Sequence, residues 1–399
     1  MFEFPKIILV FLAVDWPSFT QKDFLIALAG PTAEAGSVVV AVNRPLCPLT
    51  TLVKKPFRAG ELLSRPKLDK ISENLFLYSP KYFIHDFLAV NSSWLKYLNQ
   101  AAIRRSYIYL CRKLGVTESN PVVWFYYPRQ GWVTELFPKN FNIYEIYDNI
   151  SDIYGNENET DNGLEHQLRN RVHLLITTSK RLHDKYGQHY CKAIYMGNGL
   201  SRGHYLNLIG DDTNINPAIA RIDPPRIGYA GAISNRLDWN LIAGMAKARP
   251  NWNFIFAGQI HDQSIIGKMA VYTNIHFTGA FEHNTMPRIL RGFDIGLLPY
   301  LDTEFFRYLN PLKFYEYAAA GLPAVSSPIP ELEQFPGDLI RVVNNDIESW
   351  LTAIEIQRAT DRQKAKDIGR EIAGNHIWED MAAELFAEII RIQTAYMTV

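Results

Sequence analysis

Cysteine, net charge and long apolar runs are all scarce in this sequence. Its three cysteines, Cys47, Cys111 and Cys191, are widely spaced and form no CxxC pair, which argues against a disulfide framework or a zinc site and fits a reducing cytoplasm. Lys and Arg total 41, as do Asp and Glu, so no overall charge favours nucleic acid as a partner. The apolar run at residues 7–14 is much shorter than the roughly 20 residues of a membrane span. A signal peptide would also need a basic start and a small-residue cleavage site, so we expect a buried first strand here.

Short apolar runs alternate with helical patterns along the chain, which is typical of parallel sheets covered by helices. A chain of 399 residues is long for one core, so we expect two doubly wound, Rossmann-like α/β domains. We predict an acceptor-binding domain at residues 1–206, a polar linker at 207–225, a donor-binding domain at 226–375, and a C-terminal helix at 376–399 that packs back toward the first domain. The predicted strands are residues 7–14, 37–42, 75–78, 122–127, 143–147, 172–178 and 193–196 in the first domain, and 226–230, 252–257, 274–278, 294–298, 323–326 and 339–343 in the second.

The most informative segment is NPLKFYEYAAAGLP at residues 310–323. Pro311 is well placed to open a helix and Gly321 to close it. Lys313 and Glu316 then share one face of the first turns, beside N–H groups that suit a phosphate. Lys313 adds a full positive charge there, and Glu316 offers a carboxylate to two neighbouring ribose hydroxyls. The same spacing also fits a surface Lys–Glu pair on an ordinary helix.

A second segment, IGYAGAISNRLD at residues 227–238, runs from a predicted strand into a loop and a helix. Gly231 allows the backbone to approach a ligand closely, and the guanidinium of Arg236 suits a diphosphate. Small-residue loops after strands are common in α/β domains, so this segment alone is weak evidence. Its spacing is not GxGxxG, so a dinucleotide fingerprint is not indicated.

Taken together, several segments resemble the donor-binding domain of the large GT-B glycosyltransferase family that includes glycogen synthase, sucrose synthase and bacterial mannosyltransferases. They read GYAGAISNRLDW, NFIFAG, IHFTGAF, FDIGLLPY and NPLKFYEYAAAGLPAVSS. In the first half, VVWFYYP, YEIYDNISD, LLITTSKRLHDKYG and MGNG resemble the same family. The resemblance extends over nearly the whole chain and is most specific at residues 226–327. It implies a GT-B fold, in which two Rossmann-like domains face a central cleft, and sugar transfer without a metal or a cofactor other than the nucleotide-sugar substrate.

The resemblance also implies roles for individual residues. It places the donor diphosphate near Gly231, Arg236 and Lys313, and the nucleotide ribose on Glu316. The other donor-binding residues that it implies are Ser234, Asn235, Gly258, Phe281, Asn310, Pro311 and Leu312, of which Gly258 and Phe281 border the base.

Two positions depart from the family pattern. The family often carries a pair of glutamates, and the earlier one falls at Tyr308 here, with Glu304 nearby but out of register. The family also often has a glycine-rich loop after the first strand, where this chain has Asp15-Trp16-Pro17. The identity of the donor sugar is therefore not implied by the resemblance.

Asp15, Tyr127 and Asp148 follow predicted strands of the first domain, so they should reach the edge of the sheet where α/β domains bind ligands. Asp15 is a candidate catalytic base for an acceptor hydroxyl, which would imply inversion. Retaining members of the family need no such base, and Asp15 also fits a turn before Pro17. Tyr127 and Asp148 are candidates for orienting the acceptor or the sugar. The histidines have no metal-type spacing, so no metal site is predicted.

Residues 50–115 carry twelve Lys or Arg and four acidic residues. This segment fits contact with an anionic membrane surface, which would suit a lipid-linked acceptor. A solvated face of the acceptor domain is the alternative. The cationic and apolar residues of its first part are Leu52, Lys54, Lys55, Phe57, Arg58, Leu62, Leu63, Arg65 and Lys67.

The sequence thus predicts a glycosyltransferase that moves a sugar from a nucleoside diphosphate sugar to a hydroxyl of a glycan or lipid-linked acceptor, in cell-surface polysaccharide synthesis. Arg236, Lys313 and the helix N-terminus beside it would stabilise the leaving diphosphate. We expect a cytoplasmic protein, either free or peripheral on the inner face of the membrane. The alternatives are a nucleotide-sugar epimerase on the same fold and a non-catalytic protein that binds sugar nucleotides.

Overall fold

The computed structural model describes residues 4–44, 67–80, 91–149, 159–210 and 214–397. The chain divides into two compact units. The first unit comprises residues 1–196 together with 378–399, and the second comprises residues 197–377.

In the described residues, the first unit is built on an eight-stranded sheet with the order β3-β4-β2-β1-β5-β6-β7-β8. Neighbouring strands are parallel except for β3, which runs antiparallel to β4 at the edge. The chain leaves β1 for β2 on one side and later returns to β5 on the other, so the carboxyl ends of β1 and β5 form a switch point. The strands are β1 (Ile7–Phe11), β2 (Val38–Val42), β3 (Lys67–Lys70), β4 (Leu75–Ser79), β5 (Val122–Phe125), β6 (Phe141–Ile146), β7 (Leu174–Thr177) and β8 (Ala193–Tyr195).

Helices with recognisable start and stop residues accompany this sheet. Ser92 caps the start of α2, where its side chain accepts a hydrogen bond from the Leu95 N–H, and Gly115 ends that helix with a φ of 67°. Ser179 caps α4 in the same way through the Leu182 N–H. The helices of the first unit are α1 (Lys22–Glu34), α2 (Ser93–Leu114), α3 (Glu159–Leu168), α4 (Lys180–Tyr186) and the C-terminal helix (Trp378–Met397).

The C-terminal helix belongs to the first unit and packs against α1. The ring of Phe24 on α1 lies between Trp124 of β5, at 5.9 Å between centroids, and Trp378, at 5.3 Å. All three side chains are buried. Burial of such large rings contributes several kcal/mol, so this contact fixes the end of the chain to the first unit.

The second unit contains a six-stranded parallel sheet with the order β11-β10-β9-β12-β13-β14 among its described residues. The chain leaves β9 for β10 on one side and later returns to β12 on the other, so the switch point lies between β9 and β12. The strands are β9 (Arg226–Ala230), β10 (Asn253–Ala257), β11 (Ile275–Gly279), β12 (Ile295–Leu298), β13 (Ala324–Ser326) and β14 (Ile340–Val342). The helices are α5 (Arg202–Ile209), α6 (Pro217–Ala220), α7 (Trp239–Ala248), α8 (Ser264–Met269), α9 (Met286–Leu290), α10 (Glu304–Arg307), α11 (Leu312–Ala319), α12 (Ile347–Ala359) and α13 (Arg362–Gly374).

Helix α11 is held tightly in the core of the second unit. It packs against α13 and α5, and a Cβ atom at Gly369 of α13 would overlap the Ala318 carbonyl. The side chains of Phe314, Tyr315 and Tyr317 are at most 1% exposed. Because its backbone is clamped on several sides, α11 presents its first turn in a fixed position.

The expected α/β class and the predicted strands are confirmed, with bounds that differ by a few residues. The division of the chain differs from the predicted one, because residues 197–225 belong to the second unit. Helix α5 packs against α11 and α13 there, and the segment predicted as a linker contains α6.

Residues 211–213 of that segment lie outside the described residues. So do Leu52, Lys54, Lys55, Phe57, Arg58, Leu62, Leu63 and Arg65 of the basic segment.

None of the helices in the described part of the chain is both long and apolar enough to cross a bilayer.

Candidate functional site

Two glycines shape the loops at the carboxyl ends of β9 and β10. Gly231 has a φ of 152° and Gly258 a φ of 149°, conformations that side-chain-bearing residues rarely adopt. A Cβ atom at Gly258 would overlap the carbonyl of Gly231. The Gly231 N–H donates to the Ala257 carbonyl at 2.8 Å, and the Gly258 N–H donates to the Gly279 carbonyl at 2.9 Å. These hydrogen bonds hold two bare backbone loops side by side next to the switch point.

The first turn of α11 meets the Gly231 loop. A Cβ atom at Gly231 would overlap the end of the Lys313 side chain, and the Lys313 ammonium lies 5.8 Å from the centre of the Tyr229 ring. Pro311 is the N-cap of α11 and makes no side-chain capping hydrogen bond. The N–H groups of the first turn therefore keep the positive end of the helix dipole available beside an ammonium group. This combination suits an anionic group such as a diphosphate.

Glu316 lies one turn further along α11 and is almost fully buried, with 4% of its side chain exposed. Its Oε1 atom is 3.5 Å from Nε2 of His204 on α5, at the outer limit of a hydrogen bond. The exposed imidazole of His283 stacks on the ring of His204, with 4.1 Å between centroids. Burial raises the pKa of the Glu316 carboxyl, but His204, Lys313 and His283 outweigh this effect, so the pKa is lowered. The carboxyl is therefore an anion at neutral pH.

His204, His283 and Glu316 also offer a set of possible metal ligands. Their nearest ligand atoms all lie within 4.8 Å of one another. Two ligands on a tetrahedral zinc ion are about 3.4 Å apart, given Zn–N bonds of 2.0–2.1 Å. The 3.5 Å between Nε2 of His204 and Oε1 of Glu316 is close to this value, so the separation suits both a carboxylate held by an imidazole and two ligands of one metal ion.

Arg236, predicted to contact the diphosphate, and the donor-binding candidates Ser234 and Asn235 lie on the loop after β9. Arg236 is exposed, and its guanidinium lies 5.6 Å from the centre of the Phe305 ring. Ser234 accepts a hydrogen bond from the Arg236 N–H at 3.3 Å, and Asn235 is exposed on the same turn. The loop therefore carries a solvent-accessible cation next to the Gly231 backbone.

The segment before α11 is buried and well anchored. Asn310 is 2% exposed, and its carbonyl accepts a hydrogen bond from the Asn198 side chain at 2.6 Å. Leu312 is partly exposed on the first turn of α11. Tyr308, at the position of the family's earlier glutamate, is buried at the end of α10, whereas Glu304 is exposed at the start of that helix.

Phe281 follows β11, the strand beside β10. Its side chain is partly buried and packs on the core of the second unit. The loops after β9, β10 and β11 and the start of α11 thus place the predicted donor-binding residues at one edge of this sheet.

Asp15, Tyr127 and Asp148 lie in the first unit, beyond the carboxyl ends of β1, β5 and β6. These three strands are neighbours in the sheet, so the structure brings the predicted acceptor-side residues to one edge. The Tyr127 hydroxyl lies 3.0 Å from the hydroxyl of Tyr147. Asp15 caps a short 3₁₀ helix, Trp16–Ser18, without a side-chain capping hydrogen bond.

Sequence reasoning missed a buried carboxyl group in the first unit. Glu145 is the last but one residue of β6 and is completely buried. Its carboxyl oxygens accept hydrogen bonds from the Gln21 amide at 2.6 Å and the Trp124 indole at 2.9 Å. Burial raises its pKa to about 7, although these two side chains and Tyr126 act to lower it. A lone glutamate within the apolar run FNIYEIY is the signal that would have revealed it.

Reasoning from the sequence also did not connect His204 with Glu316. These residues are far apart along the chain and meet only because α5 packs on α11. No spacing of residues along the sequence predicts that contact.

Known proteins resemble this chain in sequence and in fold. Residues 224–356 match the family described as "Glycosyl transferases group 1". A 106-residue stretch is 28% identical to TuaH of Bacillus subtilis (strain 168), named as a teichuronic acid biosynthesis glycosyltransferase. That match covers 26% of this chain and about a quarter (27%) of the relative.

Solved structures of low sequence identity share the fold over nearly the whole chain. Sucrose-phosphate synthase from Thermosynechococcus elongatus has a TM-score of 0.68 at 17% identity and covers 98% of this chain and 100% of its own. Anabaena Alr3699/HepE in complex with UDP has a TM-score of 0.64 at 12% identity, covering 97% and 99%. An α,α-trehalose 6-phosphate synthase from Burkholderia multivorans has a TM-score of 0.64 at 11% identity, covering 99% and 100%.

Proposed function

We propose that this chain, a GT-B glycosyltransferase by its fold and its glycosyl transferases group 1 domain, moves a sugar from a nucleoside diphosphate sugar to a hydroxyl of a glycan or lipid-linked acceptor. One observation carries the proposal. Two glycine loops, the start of α11, an ammonium group and a buried anionic carboxyl all lie at the switch point of the second unit. The name of TuaH supports a place in cell-surface polysaccharide synthesis.

The proposed chemistry depends on placing positive charge where the leaving diphosphate develops negative charge. Lys313, Arg236 and the first N–H groups of α11 supply that charge in a fixed geometry. The Gly231 backbone approaches the phosphates because no side chain intervenes. Glu316 accepts hydrogen bonds from the two ribose hydroxyls. In this proposal these groups neutralise the diphosphate without a metal ion or a further cofactor.

The remaining donor-side and acceptor-side roles follow the position of each residue. Gly258 and Phe281 border the nucleobase, and Ser234, Asn235, Asn310, Pro311 and Leu312 line the phosphates. In the first unit, Tyr127 and Asp148 orient the acceptor. Asp15 is proposed as the base that deprotonates the acceptor hydroxyl if the reaction inverts the anomeric carbon.

Calorimetry with UDP, ADP, GDP and CDP tests the donor site. We expect the wild type to bind at least one of them, and Lys313→Ala to weaken that binding about ten- to hundredfold, as expected for loss of a charge-assisted hydrogen bond. Glu316→Ala should weaken it comparably, while thermal unfolding shows that both variants are folded. Lys268→Ala, which removes an exposed lysine of α8, is the matched control and should bind like the wild type. Unchanged affinity in both Lys313→Ala and Glu316→Ala would remove the assignment.

Calorimetry identifies which nucleoside diphosphate binds. NMR of a sugar donor built on that nucleoside diphosphate then separates transfer from the alternatives. The transferase leaves the donor's stereochemistry unchanged until an acceptor is added, whereas an epimerase would interconvert the donor alone. A non-catalytic binding protein would do neither.

Helix α2 supports a peripheral position on the cytoplasmic face of an anionic membrane. Its residues, Ser93–Leu114, include five Lys or Arg and no acidic residue. Trp94 and Tyr97 are 67% and 58% exposed, and Leu98, Ile108 and Tyr109 are also exposed. Exposed aromatic rings interleaved with cations favour the interface of an anionic bilayer. We place a lipid-linked acceptor on this side of the protein as part of the same proposal.

A further inference from the structure

We propose that His204 is a positioning residue that holds the Glu316 carboxylate as the acceptor of the ribose diol, and so makes the site selective for ribonucleotide donors over deoxyribonucleotide donors. This inference rests on the proposed function. It adds a residue outside the donor-binding segments, since His204 lies on α5 rather than on the loops after the strands or on α11.

His204 is held in place by its own helix and by the helices around it. The Ser201 side chain caps α5 by accepting a hydrogen bond from the His204 N–H, and α5 packs against α9, α11 and α13. Only 7% of the His204 side chain is exposed. Its Nε2 atom is buried, has no hydrogen-bond partner among the described residues, and lies 3.5 Å from Oε1 of Glu316. A buried imidazole nitrogen aimed at a buried carboxylate restricts the rotamer of that carboxylate.

This arrangement leaves acceptor capacity on the carboxylate. A carboxylate has two oxygens and about four lone-pair directions, and the 3.5 Å contact with His204 involves only one of the two oxygens of Glu316. Two neighbouring hydroxyls can then each donate a hydrogen bond to the remaining positions. A 2′-deoxyribose has one of these hydroxyls fewer and leaves part of a buried anion unsatisfied, which is costly.

The charge of Glu316 depends on the groups that face it. These are Lys313 on the same helix, His204 on α5, and His283 after β11. Tyr229, Tyr300 and Tyr317 also lie nearby, and burial raises the pKa of each phenol, so they are neutral. Removal of His204 leaves burial less opposed, so the pKa of Glu316 should rise. The carboxylate would then be protonated at a higher pH than in the wild type.

The test measures the affinity of the full chain for UDP, ADP, GDP and CDP and for their 2′-deoxy counterparts. The affinities of the variants are then measured for the ribonucleotide that binds most tightly and for its 2′-deoxy counterpart. We expect the wild type to prefer the ribonucleotide about tenfold or more, as for one hydrogen bond to a charged group. His204→Ala should reduce this preference to about threefold or less, mostly by weakening the ribonucleotide. His204→Gln keeps a donor near the Nε2 position and should retain most of the preference.

The pH profile gives a second readout. In His204→Ala the ribose preference should recover as pH is raised, because Glu316 ionises again, whereas the wild type should keep its preference at lower pH. His276→Ala removes a histidine on β11 that pairs with Asn253 and serves as the matched control, with wild-type preference expected. Thermal unfolding confirms that each variant is folded.

Several outcomes would overturn the inference. Equal weakening of ribo- and deoxyribonucleotides in both His204 variants would show a merely structural role. An unchanged preference in His204→Ala would show that Glu316 needs no partner. Loss of the wild-type preference on adding EDTA would assign His204, His283 and Glu316 to a metal ion instead. Absence of any nucleotide binding by the wild type would overturn the proposed function as well, whereas the other outcomes leave it standing.

Discussion

Replacement of Glu145 by Gln should make the protein more stable above neutral pH. The pKa of this buried carboxyl is raised from 4.5 to about 7, chiefly because burial disfavours its charged form. The folded state therefore binds its proton more tightly than the unfolded state does. The contribution of Glu145 to stability is greatest below pH 4.5, falls as the pH rises from 4.5 to about 7, and stays constant above the folded pKa. A difference of between two and three pKa units corresponds to about 3 kcal/mol.

Glutamine keeps the shape of the buried group but cannot ionise. Its carbonyl can accept the hydrogen bond of the Trp124 indole, and its amide can donate to Gln21 once that amide rotates. The Gln21 carbonyl oxygen is buried with no hydrogen-bond partner among the described residues. Glu145→Gln should therefore be about 3 kcal/mol more stable than the wild type at pH 8, with the difference vanishing near pH 4.5.

Denaturant unfolding followed by tryptophan fluorescence, at several pH values between 4.5 and 8, measures this difference directly. Only the difference between variant and wild type is compared, because other groups titrate equally in both. Glu355→Gln, which changes an exposed carboxyl of α12, is the control and should show no such pH dependence. A constant difference between Glu145→Gln and the wild type across this range would refute the argument.

Two further predictions concern the Gly231 loop and helix α2. Gly231→Ala should weaken nucleoside diphosphate binding more than tenfold and lower stability by about 1–3 kcal/mol. The reason is that Gly231 has a φ of 152° and that a Cβ atom there would overlap Lys313. Wild-type affinity of this variant in calorimetry would contradict the prediction. Replacement of Trp94 and Tyr97 by Ser should reduce sedimentation with phosphatidylglycerol vesicles, and added salt should do the same. Val271→Ser, at an apolar site of the second unit that is 77% exposed, is its control, and equal binding by all three proteins would exclude α2 from the interface.

The layout of the two sheets could be predicted because parallel strands that are covered on both faces read as short apolar runs. Strand β3, Lys67–Lys70, was missed for the opposite reason. It reads KLDK, lies at the sheet edge and keeps its side chains largely accessible. Charges on an edge strand protect it from pairing with other chains, but they also remove the apolar pattern that reveals a strand.

Some contacts of the candidate site follow from local sequence spacing, whereas others arise only when the chain folds. The relation between Lys313 and Glu316 follows from helical spacing, and the close approach at Gly231 follows from a glycine after a strand. The contact between His204 and Glu316 depends on how α5 docks on α11. The overlap that excludes a side chain at Gly258 depends on the loop after β9. Contacts of this kind have no sequence period, so only the folded chain shows them.

The proposed donor site would recognise what nucleotide sugars have in common, rather than what distinguishes them. In the proposed site, backbone N–H groups, Lys313 and Arg236 would bind any diphosphate, and Glu316 would bind any ribose. The transferred sugar would have to be recognised elsewhere, and the resemblance to the family connects its earlier glutamate with that sugar. Tyr308 occupies that position as a buried phenol, which offers one hydroxyl in place of two carboxylate oxygens. The hydroxyl pattern of the sugar accepted here should therefore differ from that of donors held by a carboxylate. A panel of donor sugars on one shared nucleotide, compared between the wild type and Tyr308→Glu, would show this as a change in sugar preference without a change in nucleotide affinity.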